Sequence, residues 1–276
     1  MDSIKTIAEL EHAKRHEPEL LTKIFSQVSI LPDLERYLKW LSDEEVPTKV
    51  VTTLNRYKKR DLGIHPSSAC KKGVCKLRLY YECTHEIEPS AAYVQENQLT
   101  WDIGTLLHDT YQTHLKSMYG KQFRYEVPLK IPHLHVVSRT DGLFDFTQLR
   151  IVLEGKSIKE GGNFGWEKVQ KKPMEDNVRQ CHFYMKAADY PFSIVFYMNK
   201  NAGKLKEHPV MFDQEIWEDI EETVKPVVLA AYKKGPKVEG KSGFHCRWCD
   251  FNHACPLVRK ERTHVKGINR PWGRRS

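Results

Sequence analysis

The stretch Arg139–Ser157, RTDGLFDFTQLRIVLEGKS, constrains the fold more than any other part of the chain. Alternating and β-branched residues run up to the polar pair Thr147–Gln148, and RIVLEGK returns as a second strand-like run, the pattern of a β-hairpin. A turn centred on that pair sets Asp141 across the ladder from Glu154, both side chains on one face with Cβ atoms roughly 5 Å apart. Like charges so placed repel, and a cation between them is required. Lys156 lies two residues beyond Glu154, so the strand period of two brings its ammonium to the same face. Two carboxylates and a lysine arranged in this way can hold Mg²⁺ and orient a water for attack on a phosphodiester. A surface hairpin with a salt bridge uses the same residues, and the rest of the chain must decide between the two.

The formal net charge of +8 favours an anionic partner, nucleic acid ahead of an acidic membrane. With 276 residues, 40% of them hydrophobic and 29% charged, the chain has enough for one large domain or a core domain with appendages. No apolar run approaches the roughly 18 residues of a membrane span. The opening MDSIKTIAELEHAKRHEPEL lacks the apolar core of a signal peptide, and a cytoplasmic location is expected, host cytoplasm if the chain is phage-encoded. Seven cysteines without a secretory signal point to metal rather than to disulfides.

Residues from about 3 to 60 read as helices, with Ile4, Ile7, Leu10, Leu20, Leu21, Ile24, Phe25 and Val28 at helical spacing. A further helix opens at Pro32–Asp33 with Leu34, Tyr37, Leu38 and Leu41 on one stripe. No chemistry is visible there, and residues 1–64 are expected as a helical appendage or a docking surface. WDIGTLLHDTYQTHLKSMYG predicts a helix with Asp102 as N-cap and Gly120 as its stop. His108 borders its apolar face, where a structural histidine is the commoner occurrence. FRYEVPLKI predicts a strand leading into the hairpin, so that at least three strands share one curved sheet. A helix over Met174–Ala188 puts Gln180 and Tyr184 one turn apart on one face. FSIVFYMN and LKEHPVMFD read as strands, and Gln214–Tyr232 as a long amphipathic helix; the alternation indicates α/β.

CRWCDFNHACP places Cys246, Cys249 and Cys255 at C-x₂-C-x₅-C, a metal-ligand signature that requires a fourth ligand from upstream. Cys70, Cys75 and Cys83 are available, and His245 and His253 keep a zinc site open. Spacing does not separate zinc from an iron–sulfur cluster. The basic tail, residues 259–276, has no core pattern and is suited to following a nucleic acid backbone, or to being a solvated tail.

Over about Ser67 to Pro256 these pieces, in this order, resemble the RecB-like branch of the PD-(D/E)XK nucleases, specifically its iron–sulfur group. CRISPR-associated exonucleases, AddB subunits and related phage proteins belong to that group. Cys75 in CKLRLYY, His108 in GTLLH, Asp141 in RTDGLFD, Glu154 and Lys156 in LEGK, Gln180 and Tyr184 in the Q-x₃-Y helix, and Cys246, Cys249 and Cys255 carry the resemblance. It implies a restriction-endonuclease-like core over residues 65–258, with a mixed central sheet flanked by helices and a C-terminal cysteine-rich segment. It implies a metal-dependent deoxyribonuclease, an exonuclease on single-stranded DNA or DNA ends in recombination, repair or replication. Mg²⁺ or Mn²⁺ would be held by Asp141, Glu154 and the Gly155 carbonyl, with His108 completing or bordering the site. Lys156 would orient the attacking water, and Gln180 and Tyr184 would position the strand. A 4Fe–4S cluster would sit on Cys75, Cys246, Cys249 and Cys255, with zinc as the alternative and Cys70 or Cys83 as competitors for the fourth position. No G-x₄-GK[ST] motif is present, so a helicase, or a recombination or CRISPR-adaptation partner, would be a separate protein. A non-catalytic or zinc-stabilised nucleic-acid-binding subunit is the rival expectation.

Overall fold

Two strands with almost no polar surface form the middle of the molecule. The computed structural model describes residues 3–43, 62–161 and 165–258. Its helices are α1 (Ile7–His16), α2 (Pro18–Phe25), α3 (Leu31–Asp43), α4 (Pro66–Ala69), α5 (Lys76–Thr84) and α6 (Ala91–Tyr119). Strands β1 (Phe123–Arg124), β2 (Val127–Ile131), β3 (Val136–Thr140), β4 (Gly142–Asp145) and β5 (Arg150–Ile158) follow. The remainder is α7 (Trp166–Val169), α8 (Glu175–Ala188), β6 (Phe192–Asn199), β7 (Leu205–Met211) and α9 (Gln214–Tyr232).

The main sheet has the order β1-β4-β5-β6-β7, with β5 and β6 parallel and the other pairs antiparallel. Ile151, Val152 and Leu153 on β5, and Phe192, Ile194, Val195, Phe196 and Tyr197 on β6, are fully buried although neighbours point to opposite faces. Such continuous burial requires cover on both sides, which the crossover through α7 and α8 helps to provide. Pro209 is accommodated because β7 is an edge strand, where a missing N–H breaks no ladder. The result is the expected α/β class, a mixed central sheet flanked by helices.

The hairpin register is as the sequence predicts. Asp145 pairs with Arg150 and Gly142 with Leu153, so Asp141 stands one step further, level with Glu154. The single curved sheet expected from FRYEVPLKI is not formed. That segment breaks at Glu126, whose φ of 51° is left-handed. Phe123–Arg124 pairs with β4, whereas β2 and β3 pair with each other in a separate two-stranded sheet. Asp141 therefore lies where the chain leaves one sheet for the other.

Helix α6 begins at Ala91, and Asp102 is an interior residue rather than its N-cap. AAYVQENQL has good helix formers but no apolar stripe, so periodicity missed it. The stop at Gly120 holds, at φ 53°. The N-terminal helices do not stand apart. Ile4, Ile7, Leu10, Ile24, Val28, Ile30 and Leu34 belong to the same buried core as the sheet. The Ile4 N–H donates to the Gln148 carbonyl at the hairpin turn (3.0 Å), and a capping box of Thr6 and Glu9 then starts α1. The basic tail and part of the residue 3–60 reading lie outside the described residues.

Because Leu10 is fully buried in the common core, Leu10→Ala should lower the unfolding free energy by about 2–5 kcal/mol in urea titrations. A loss well below about 1 kcal/mol would mean that the helical segment contributes little to the common core.

Candidate active site

The chain bend at Asp141, the buried stretch of β5 and the face of α6 that carries His108, Tyr111 and Gln112 converge on one point. Asp141 Oδ2 accepts a hydrogen bond from the Gly155 N–H (2.7 Å), and Oδ1 lies 3.2 Å from His108 Nδ1 on α6. The Asp141 carbonyl accepts from Gln112 Nε2 (2.9 Å), one turn beyond His108, so a single helix holds both ends of this residue. Glu154 is 1% exposed and is ion-paired to Lys156 on the same face of β5. His108, Asp141, Glu154, Gly155 and Lys156 are thus brought together.

Gly155 is constrained by contact. A Cβ there would collide with the Tyr111 hydroxyl, which packs on the strand from α6. That hydroxyl is buried and has no hydrogen-bond partner among the described residues. Tyr111 and Gln112 carry no motif signal. Only their position next to His108 on a helix whose register the sequence already gave could have pointed to them.

Burial sets the electrostatics and neighbouring charges modulate it. Burial pushes the Glu154 carboxyl up, Lys156 opposes this, Asp141 adds to it, and the result is about 7. Asp141 is also raised by burial, but His108, Lys156 and the Gly155 N–H outweigh it and leave its carboxyl below the usual range. His108 is lowered by burial, yet Asp141 and Glu154 raise it overall. The Lys156 ammonium is likewise held on the charged side by Glu154 and Asp141 against burial. Two acids and two bases form one balanced group.

Gln180 and Tyr184 are both buried on α8, and Gln180 Nε2 donates to the Tyr184 hydroxyl (2.8 Å). Burial raises the Tyr184 phenol strongly, and the charges of Glu154 and Asp141 raise it further, which puts this pair within electrostatic reach of the acids. The preceding Arg179 is also buried; its Nε donates to the Cys70 carbonyl (2.8 Å) and its guanidinium pairs with Asp219 of α9.

Cys75, Cys246, Cys249 and Cys255 line one cavity of about 490 Å³. Leu77, Tyr81 and Phe251 form its apolar floor. Cys75 precedes α5, and its Sγ accepts from the Lys241 N–H (3.3 Å), while Cys246 Sγ faces the Lys241 carbonyl (3.7 Å). Burial pushes the Cys249 thiol up to about 11. Cys70 and Cys83 are buried away from this cavity, their thiols raised to about 12, again chiefly by burial. His245 lines the cavity; His253 does not.

Among the described residues, no three His, Cys, Asp or Glu side chains already stand in a ligating arrangement. At the acidic site Lys156 pairs with Glu154, and His108 Nδ1 faces Asp141. The donors themselves fit a hard divalent cation. They are two carboxylates, an imidazole and a peptide carbonyl, beside an unpartnered buried hydroxyl. The four thiols, lining one cavity, are donors of the kind a soft metal group takes.

No family model matches the chain, and no curated protein matches it in sequence. Among solved structures, SSO0001 aligns over 87% of this chain and 97% of its own at 13% identity, with a TM-score of 0.49. An alkaline exonuclease from Laribacter hongkongensis, in complex with dAMP, aligns over 74% of this chain and 95% of its own (15% identity, TM-score 0.44). A phage-related exonuclease from Haemophilus somnus aligns over 52% and 72% (10% identity, TM-score 0.35). These are distant likenesses.

The Glu154 carboxyl moves from an ordinary 4.5 up to about 7 on folding. Between those values the native state holds more protons than the unfolded chain, so this group loses stability as pH rises through about 7. Glu154→Gln mimics the protonated acid. Without divalent cations, its melting temperature relative to the parent should therefore rise from pH 5.5 to pH 8. A difference that does not change with pH would show that Glu154 ionises elsewhere.

Proposed function

We propose that this protein is a Mg²⁺- or Mn²⁺-dependent nuclease that hydrolyses DNA phosphodiester bonds, acting as an exonuclease on single strands or DNA ends. One observation carries the reading: His108, Asp141, Glu154 and Lys156 converge, with opposed carboxylates on a rigid hairpin and a lysine on their face. Asp141, Glu154 and the Gly155 carbonyl would hold the cation, with His108 at its border. A bound Mg²⁺ or Mn²⁺ supplies Lewis-acid stabilisation of the charge that builds on the phosphate. Lys156, once released from Glu154, donates to the attacking water and fixes its direction of approach. The Gly155 N–H fixes the Asp141 carboxylate, and Gln112 fixes its backbone. Tyr111 closes the floor below Gly155 and excludes bulk water. Gln180 and Tyr184 orient the strand through their shared hydrogen bond.

The cysteines serve architecture in this reading. A 4Fe–4S cluster on Cys75, Cys246, Cys249 and Cys255 would tie the start of α5 to the C-terminal segment and close a long loop, where closure entropy is large. A helicase or a recombination partner would be a separate protein. The zinc-stabilised, non-catalytic binder is the alternative. Among the described residues, no helix is long and apolar enough to cross a membrane.

End-labelled single- and double-stranded DNA incubated with Mg²⁺ or Mn²⁺ tests the reaction. Lys156→Met should lower hydrolysis by about 10²-fold or more while divalent-cation binding, read by calorimetry, persists. At pH 8 its metal-free stability should fall by roughly 1–3 kcal/mol, because Glu154 loses its counter-charge. Ordinary hydrolysis by Lys156→Met or Asp141→Ala would place the chemistry outside these residues, and a parent that binds DNA but hydrolyses none with either cation would be the non-catalytic binder.

Anaerobically purified protein should contain iron and sulfide, and Cys249→Ser should lose both and melt at a lower temperature. Stoichiometric zinc without iron would replace the cluster by a zinc site.

A further inference from the structure

Trp248 is 73% exposed, the most exposed of the large hydrophobic side chains among the described residues. Trp166 and Trp217, by contrast, are buried. Trp248 ends the 3₁₀ turn Phe244–Trp248, between Cys246 and Cys249. Its backbone is fixed: the Cys249 N–H donates to the Cys246 carbonyl (3.4 Å), and Asn252 Nδ2 donates to the same carbonyl (2.8 Å). An indole held outward on a braced turn loses little freedom when a flat partner stacks on it.

The surroundings specify that partner. Lys71, Lys72, Lys241 and His245 line the same cavity rim as Trp248. The acidic groups nearby are engaged: Glu175 pairs with Lys72 (3.1 Å), while Glu82 and Asp250 both pair with Arg78 (3.2 Å each). An aromatic face beside several cations is the chemistry that takes a base and its flanking phosphates. The rim is also tied to the acidic site. Lys71 follows Cys70, whose carbonyl binds Arg179, the neighbour of Gln180 on α8. Cys70 to Cys75 is five residues, at most about 17 Å of chain.

We propose that Trp248 is a stacking platform for a base of single-stranded nucleic acid, with Lys71 and Lys241 holding its phosphates on the approach to the acidic site. This rests on the nuclease reading for the identity of the polymer. A duplex keeps its bases stacked on each other and cannot use the platform, so the subsite discriminates for single strands.

The test uses full-length protein as purified, in buffer without added divalent cations. Short single-stranded DNA, single-stranded RNA and duplex DNA are titrated while indole fluorescence and Kd are followed. Single strands should quench the parent, and the quench should be absent in Trp248→Ala. Stacking of about 1–3 kcal/mol per base corresponds to a Kd roughly 5- to 150-fold weaker for single strands, with little change for duplex. Trp248→Phe should recover most of the affinity. Lys241→Ala should weaken binding and reduce the salt dependence by about 0.7 of a log unit per log unit of salt. If the parent binds and cleaves single strands and Trp248→Ala matches it in quench and Kd, the platform is wrong and the nuclease reading stands. If the parent binds no single strand and cleaves no nucleic acid, both fall. If Trp248→Ala loses binding only together with its metal content, the residue serves the cysteine site and the platform is overturned.

Discussion

Asp141 and Glu154 occupy opposed positions of one hairpin, close to fully buried strands, and such a pair can persist only with matching cations beside it. Lys156, from the same strand, is one, and His108 of α6, raised in pKa by the two acids, sets its Nδ1 against Asp141. The hydrogen bond from the Gly155 N–H to Asp141 locks the arrangement into the backbone. Removing two charges from water is costly, and their attraction repays it only when every charge is answered. The group is therefore balanced without any added ion, yet Glu154 remains close to neutrality in its proton equilibrium. A divalent cation would compete with Lys156 and His108 for the same oxygens.

The sheet architecture follows from where these groups must sit. Asp141 is at the point where β3 leaves the two-stranded sheet and β4 enters the five-stranded one. Thr140, just before it, is buried and donates from its hydroxyl toward the Gly142 and Leu153 carbonyls (3.2 Å each), covering backbone acceptors exposed by the bend. Tyr111 presses on Gly155 from α6, and that contact forbids any side chain there. A helix, a bend and a glycine thus define the floor of the site together, and none of them would do so alone.

The cysteine-bearing segments are joined to this centre by a polar clamp. Arg179 reaches the Cys70 carbonyl and Asp219, so α4, α8 and α9 meet at one buried guanidinium. Its five donors and planar fork suit that role better than lysine would. The turn from Cys70 to Cys75 then runs to the cavity where the C-terminal cysteines gather.

The local grammar of this chain was legible in its residues. The hairpin register, the strand FSIVFYMN, all but the last two residues of LKEHPVMFD, helices α8 and α9, and the halt at Gly120 follow from periods of two and 3.6 and from glycine's access to positive φ. Asp141, Glu154 and Lys156 stood out from the hairpin register and the cysteines from their spacing, whereas His108, Gln180 and Tyr184 were singled out by the family resemblance. What the sequence misassigned depended on partners distant along the chain. Asp102 has the chemistry of a cap, but α6 starts at Ala91. FRYEVPLKI has the pattern of one strand, but the positive φ at Glu126 divides it between two sheets. The N-terminal helices have the look of an appendage, but their apolar stripes complete the common core. Cys70, Cys75 and Cys83 are equivalent as thiols, and only the tertiary structure sends Cys75 to the cavity and buries the other two. Tyr111 was legible only as part of the α6 apolar face, and Gln112 and Arg179 were silent: periodicity reports which face of an element is apolar, whereas packing alone decides which face of another element it meets.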